Sequence, residues 1–322
     1  MTPSQLKTLL AVASTGSVRL AAKELLVSQP AVSASITALA ASVGVPLVER
    51  DGRGLRLTAA GHTVAGYARQ ILGLMAEAKD AANALAGPAT GHLRLAAVTT
   101  PGEALLPRWL RSFRSTYPGV EIKLEIGNRE RLWTMLAHRE VDLGIGGRPP
   151  VGEQGLATIA RRRHELVLVA APDLTPRPKP EARAERPGSQ RSFEEVSEHD
   201  LANRTWLVRE AGSNIRSTTE ELLADLGIDP PLLTLGSNGS IREAAAIGLG
   251  VAMLSRDTVE RDLSEGNLVE WRCGPLPLRR HWHFGVRAGE VLPGPTQLFV
   301  GHVLKIDQMA NDAPMQQATY RP

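Results

Sequence analysis

The stretch Ser28 to Gly44, SQPAVSASITALAASVG, opens as a DNA-reading helix would and contains no Lys, Arg, Asp or Glu. Nucleic-acid affinity comes largely from cations set against phosphates, so such a helix needs charge supplied from elsewhere. The nearest supply is Arg50, Arg53 and Arg56 in VPLVERDGRGLRLTAAG, with Arg19 and Lys23 just upstream. The helix itself still offers major-groove chemistry. Pro30, Ala31 and Ala34 can meet thymine methyls, Gln29 and Ser33 can hydrogen-bond base edges, and Thr37 lies on the same open side. Ser28 caps the helix, whose free N–H groups can hold a phosphate. On this reading the arginines position the protein and the uncharged helix specifies; the alternative is that the arginines only solvate a surface.

A second chemistry is suggested by four turns that follow strand-like segments: Thr99-Thr100-Pro101-Gly102, Gly127-Asn128, Gly212-Ser213-Asn214 and Ser237-Asn238-Gly239-Ser240. Each sets hydroxyls or backbone N–H groups at a helix start, which suits a carboxylate or phosphate and equally serves ordinary capping. Enzymatic sets are weaker. His281 and His283 share a strand face without a third ligand at motif spacing and read as packing residues, so no metal site is expected. Cys273 is the only cysteine and cannot form an intramolecular disulfide. There is no G-x-S-x-G elbow or phosphate loop ending in GK[ST], and Gly144-Ile145-Gly146-Gly147 lacks dinucleotide-fingerprint spacing. The expectation is a protein that is not an enzyme and uses no cofactor.

The elements that must position these residues are legible. Helical patterns cover Pro3 to Ala13, Val18 to Leu26 and Gln29 to Val43, with Val32, Ile36, Leu39 and Val43 on one face of the third. A tight turn into a second helix that is small and polar on its open side is the helix-turn-helix pattern. Asp51-Gly52 and Arg53-Gly54 then turn a short hairpin, or wing. Thr58 caps a long helix, roughly Ala59 to Ala86, spanning ~40 Å. Along it Val64, Ala68, Ile71, Met75, Ala78, Ala82 and Leu85 recur at coiled-coil spacing. This stripe is read as a dimer seam, the alternative being packing on its own domain.

From Gly91 strands and helices alternate. HLRLAAV, VEIKLEI, VDLGIG and ELVLVAA are strand-like, separated by helical EALLPRWLRSFRSTY and RERLWTMLAHRE; TWLVRE, LLTLGS and VAMLS repeat the logic with helices near Ser213 to Leu226 and Ile241 to Ile247. Two α/β lobes with a mostly parallel sheet follow, able to share two crossing strands around a cleft. NLVEW and HWHFGVR are further strands, and PTQLFVGHVLKIDQM a last helix. The expected domains are a winged helix-turn-helix at 1–58, a linker helix at 59–88, an effector-binding domain at 91–309 with a mobile insertion at 172–191, and a flexible tail at 310–322.

Bulk properties agree. The chain has 322 residues, enough for two domains, and its 43% hydrophobic and 22% charged composition is that of a soluble globular protein. No apolar run reaches the ~18 residues of a membrane span, and MTPSQLKTLLAVASTGS is amphipathic rather than signal-like, so a cytoplasmic protein without membrane contact is expected. Of the net charge of +3, all resides before Thr63, where six Lys/Arg face three Asp/Glu. That asymmetry fits an anion-binding head on a neutral body.

The segment AAKELLVSQPAVSASITALAASVGVPLVERDGRGLRLTAAG, with SQPAVS, VPL-x-ER and LTAAG in register, resembles the signature of the LysR-type transcriptional regulators, and the likeness extends over nearly the full chain. GNRERLWTMLAHREVDLGIGGRPP and SNGSIREAAAIGLGVAMLS are similar to the subgroup controlling Calvin-cycle carbon-fixation operons. The resemblance implies a winged helix-turn-helix, a linker-helix homodimer or homotetramer and a two-lobed domain similar to periplasmic solute-binding proteins. It further implies effector contacts at Thr100, Asn128, Arg148 and Ser213; the turns read above add Thr99, Gly127, Ser237 and Asn238 as candidates. The sequence departs from the family pattern at Ala34, Thr37 and Ala38, where basic residues are usual, and at Val48, where Phe is usual. The expected function is a regulator of double-stranded promoter DNA, controlled by a small anionic metabolite that shifts the lobes and alters promoter bending or contact with RNA polymerase. The alternative is a ligand-binding protein whose head mediates assembly or nonspecific DNA binding.

Overall fold

The computed structural model describes residues 1–52, 54–84, 90–150, 155–174, 193–310 and 316–317. Arg53, Leu85, most of the 172–191 insertion and most of the tail therefore lie outside the described residues. Helices α1 (Pro3–Thr15), α2 (Val18–Glu24) and α3 (Gln29–Val43) each begin on a hydroxyl cap: Thr2, Ser17 and Ser28 accept from the backbone N–H of Gln5, Leu20 and Ala31. α2 stops at Glu24, short of the expected Leu26, because Leu26 turns into left-handed backbone at φ 55°. Leu6, Leu9, Val12, Ala21, Val32, Ile36 and Leu39 pack together between the three helices.

The wing is a two-stranded hairpin of β1 (Val48–Asp51) and β2 (Gly54–Leu57), in which Glu49 lies opposite Arg56 and Asp51 opposite Gly54. Thr58 joins it to the long helix α4 (Ala59–Ala84): its hydroxyl donates to Pro46 O at 2.8 Å and accepts from Gly61 N at 3.0 Å. Gly61 lies so close to the preceding loop that a Cβ there would sit 1.9 Å from the carbonyl oxygen of Leu47. The Thr58–Gly61 turn thus seats the linker helix directly on the head.

The stripe expected on α4 is partly in the wrong place. Ala68 is fully enclosed in the head core and Val64 is half-buried against it, so neither is free for a seam. The exposed apolar side chains are Tyr67, Ile71, Leu74 and Met75, with Ala78 and Ala82 also exposed. Spacing alone did not separate the two faces, because Ala and Val serve a core as well as a seam.

The effector half is one mixed sheet of 11 strands among the described residues. The first lobe has parallel β3 (Gly91–Val98), β4 (Val120–Gly127) and β5 (Leu143–Gly146), covered by α5 (Leu106–Thr116) and α6 (Arg129–Ala137). The chain then crosses in β6 (Leu156–Ala170), a 15-residue strand of which only the last part was expected. In the second lobe come β7 (Phe193–Glu195), α7 (Glu198–Ala202), β8 (Trp206–Val208), α8 (Asn214–Asp225), β9 (Leu232–Thr234), α9 (Asn238–Ala246) and β10 (Val251–Ser255). They are followed by α10 (Arg256–Glu265), which was not expected, and β11 (Val269–Arg272). The chain returns in β12 (Leu278–Arg287) and finishes the first lobe with α11 (Gly294–Ala310).

β8, β9 and β10 are mutually parallel, whereas β6 is antiparallel to β10, β11 and β12. The sheet is parallel within each lobe and antiparallel at the crossing. Trp109, Phe113, Phe284 and Phe299 fill the first lobe; Trp206, Trp271, Leu168 and Met253 fill the second. In the tail, β13 (Gln316–Gln317) pairs with β6 at 160–161, so these two residues depart from the expected free tail.

Gly61→Ala forces the linker helix off the Leu47 carbonyl. The expected outcome is a loss of about 1–3 kcal/mol in the stability of the head, measured by urea unfolding, as overpacking of a close contact gives.

Candidate DNA-binding face and effector cleft

On the head, Arg19, Lys23, Ser28, Gln29, Pro30, Ser33, Ala34, Thr37, Arg50 and Arg56 are all exposed, while Val32, Ile36 and Leu39 on the opposite face of α3 are buried. The helix can therefore offer methyls and hydroxyls outward without disturbing its packing. Ser28 Oγ is engaged as a cap at 3.3 Å from Ala31 N. Arg56 is held by Glu49 at 2.9 Å across the hairpin, an exposed pair that a phosphate can displace at little cost.

The cleft residues come from the ends of several elements. Thr100 is buried after β3, and Asn238, the buried first residue of α9, donates through Nδ2 to its hydroxyl at 3.1 Å. This bond joins the two lobes across 138 residues of sequence. Arg209, whose side chain is mostly buried, donates to Asn238 Oδ1 at 2.7 Å and to Glu210. Asn128 caps α6 by accepting from Arg131 N at 2.8 Å, and Arg129 donates to the carbonyl of Arg148 at 2.8 Å. Asn128 and Arg148 are thereby drawn to one corner. Ser237 caps α9 through Ser240 N at 3.0 Å. Ser213 precedes α8 and makes no side-chain cap bond, and Thr99 is half-buried beside Thr100. Gly127 ends β4 opposite Val98.

Sequence reasoning missed four contributors: Thr158, His283, Arg161 and Arg209. Thr158 and His283 face each other across the crossing strands, Oγ1 to Nδ1 at 3.3 Å, and Arg161 lies opposite His283 in register. Burial, followed by the nearby His281, Arg161 and Arg148, pushes the His283 imidazole down to about 4. Arg161 and Arg148, lesser contributors to that shift than burial, also give this side of the strands a positive field suited to an anion. His283 had been read only as packing; the recoverable signal was its position on a strand alternating with Arg-rich β6. Arg209, next to a strand end, had no motif to mark it.

The opposite side of the crossing strands is different. A cavity of about 1020 Å³ there includes Arg162, His164, Trp109, Asp257 and Asp307 in its lining. Arg162 is paired within it, donating to Asp257 at 3.0 Å and to Asp307 at 3.2 Å. His164 stacks on Trp282 with ring centroids 3.8 Å apart, and burial drives its imidazole down to about 3.

Comparison with known proteins decides the family. The LysR substrate binding domain matches residues 86–306, and the bacterial regulatory helix-turn-helix protein of the lysR family matches residues 3–62. The chain belongs to the LysR family. This LysR regulator is similar to the HTH-type transcriptional regulator CbbR of Rhodospirillum rubrum, 38% identical over 273 residues, covering 84% of this chain and 85% of that protein. It is also similar to the RuBisCO operon transcriptional regulator of Acidithiobacillus ferrooxidans, 31% identical over 311 residues and 96% of each chain. Among solved structures, the CcmR regulatory domain of Synechocystis PCC6803, in complex with 2-PG, matches with TM-score 0.55 and 28% identity, covering 67% of this chain and 97% of that one. This LysR regulator is thus a DNA-binding transcriptional regulator with a two-lobed effector-binding domain, related to named regulators of carbon-fixation genes rather than to enzymes.

His164 and His283 bind protons less readily when folded than in the unfolded chain, where the ordinary value is 6.5. The stability they contribute is therefore present above 6.5 and lost as pH falls through the window towards 4. Urea midpoints should decline between pH 7 and pH 5, and His283→Gln should flatten part of that decline.

Proposed function

We propose that this LysR regulator reads promoter DNA with α3, anchors itself through the wing and α2 cations, and is switched by a small anionic metabolite held between its lobes. The observation that carries the second half is the Thr100–Asn238 bond across the cleft; Arg148 and Arg161, gathered near neutral His283, supply positive charge on the crossing strands' cleft side. A ligand carboxylate or phosphate inserted there would exchange that interlobe bond for its own contacts, so the lobe angle would respond to occupancy. The 2-PG ligand of the CcmR regulatory domain is a small anion of this class, which supports a phosphorylated or carboxylate effector here. The relation to a RuBisCO operon regulator supports carbon-fixation genes as targets.

Assembly follows from α4. The exposed side chains of Tyr67, Ile71, Leu74 and Ala78 repeat at steps of four, three and four, the spacing of a helix-pair seam. A homodimer, or a homotetramer built from it, places two heads on one operator. A change in the angle between them would alter promoter bending or contact with RNA polymerase.

Competition binding to promoter and scrambled DNA across a salt series tests the reading. Arg50→Ala should weaken both DNAs alike and reduce the salt slope by about one. Ser33→Ala should chiefly change the preference between them. Equal wild-type affinity for both DNAs would reject a sequence-specific reader in favour of a nonspecific head.

A further inference from the structure

The linker helix is gripped by the first lobe at one carboxylate. Glu77 of α4 accepts from Arg139 Nη1 at 2.5 Å and from Arg287 Nη2 at 2.5 Å, with Arg94 Nη2 at 3.8 Å. Its side chain is only 16% exposed. Around it the arginines are cross-braced: Arg94 forks onto Asp142 at 2.6 and 2.9 Å, while Arg139 and Arg287 both reach Glu290. One turn along α4, buried Asp80 meets His92 at 2.7 Å. Gly73 lies so close that a Cβ would be 2.4 Å from Arg139 Cβ and 2.5 Å from its carbonyl oxygen, and Arg139 itself sits at φ 62°.

The placement of these residues matters more than their number. Arg94 is on β3, which leads into Thr99-Thr100, and Arg139 follows α6, which begins after Asn128. Asp142 precedes β5, which leads to Arg148, and Arg287 ends β12, which carries His283. Four rigid elements that show one end to the cleft show the other to Glu77.

We propose that Glu77 is a positioning residue through which the effector half holds the linker helix, and that movement of those four elements on effector binding is delivered to α4 at this carboxylate. The delivery rests on the cleft being the effector site; the grip does not. Elements that are stiff along their length and joined at a charge-assisted cluster move it as a unit.

Hydrogen exchange on the full-length, ligand-free protein tests the grip. In Glu77→Gln the amides of 70–82 should exchange about tenfold faster, with the first-lobe core and α1–α3 unchanged. Glu77→Asp, which keeps the charge, should recover part of the protection, and Glu265→Gln, in an exposed pair, should change nothing. Unchanged exchange in Glu77→Gln, or loss spread through both cores, would overturn the proposal. With 2-phosphoglycolate as the probe, wild type should show cleft protection together with a change in 70–82, and Glu77→Gln the cleft protection alone. A linker response that persists in Glu77→Gln overturns the delivery. Absence of cleft protection in wild type counts against this probe as effector and leaves the ligand-free test of the grip decisive.

Discussion

β6 and β12 lie antiparallel from Leu156↔Arg287 to Leu166↔Leu278, and both lobes hang from that pairing. At its centre Arg162 is buried and bonded to Asp257 of the second lobe and to Asp307 of the last helix, while Trp282 opposite donates to the same Asp257 at 3.4 Å. Removing one partner would leave a desolvated charge, so the crossing is rigid on this face. Its other face offers Thr158, His283 and Arg161 to the cleft. A pair of lobes joined by stiff strands can change its angle without losing its cores.

Charge is distributed in the same division of labour. The body, neutral overall, ties many of its arginines into ion pairs, among them Arg162 at the crossing and Arg94, Arg139 and Arg287 beneath the linker helix. The head keeps the net excess, and places it beside the reading helix rather than on it. A helix of small uncharged residues can approach base edges closely, with discrimination coming from methyl and hydroxyl contacts and affinity from flanking cations.

Where side chains alternate or cap, the sequence was readable. Ser28 before Pro30, Thr58 before Gly61 and the apolar steps of α3 placed the head, and the strand ends placed Thr100, Asn128 and Asn238. Three features escaped. β6 reads as TIARRRHE because Arg162 and His164 are buried on one face while Arg161 and Arg163 are exposed on the other, so polarity does not alternate along it. α10 is mostly charged and buries only Val259 fully, leaving almost no apolar stripe to detect. On α4 the core face and the free face use similar residues, so the stripe through Val64 and Ala68 could be told from that through Tyr67 and Leu74 only once the head was packed against it. Arg209 and His283 belong to the cleft through contacts with residues distant in sequence, which no local pattern carries.

The central claim is that one anion engages both lobes. The most direct measurement is hydrogen exchange of the full-length protein titrated with a panel of small organic phosphates and carboxylates. The account predicts that a binding anion protects residues 98–102 and 127–129 of the first lobe and 236–240 of the second with one common midpoint. Binding that protects one lobe alone, or only the Arg162–His164 cavity behind the crossing strands, would contradict it.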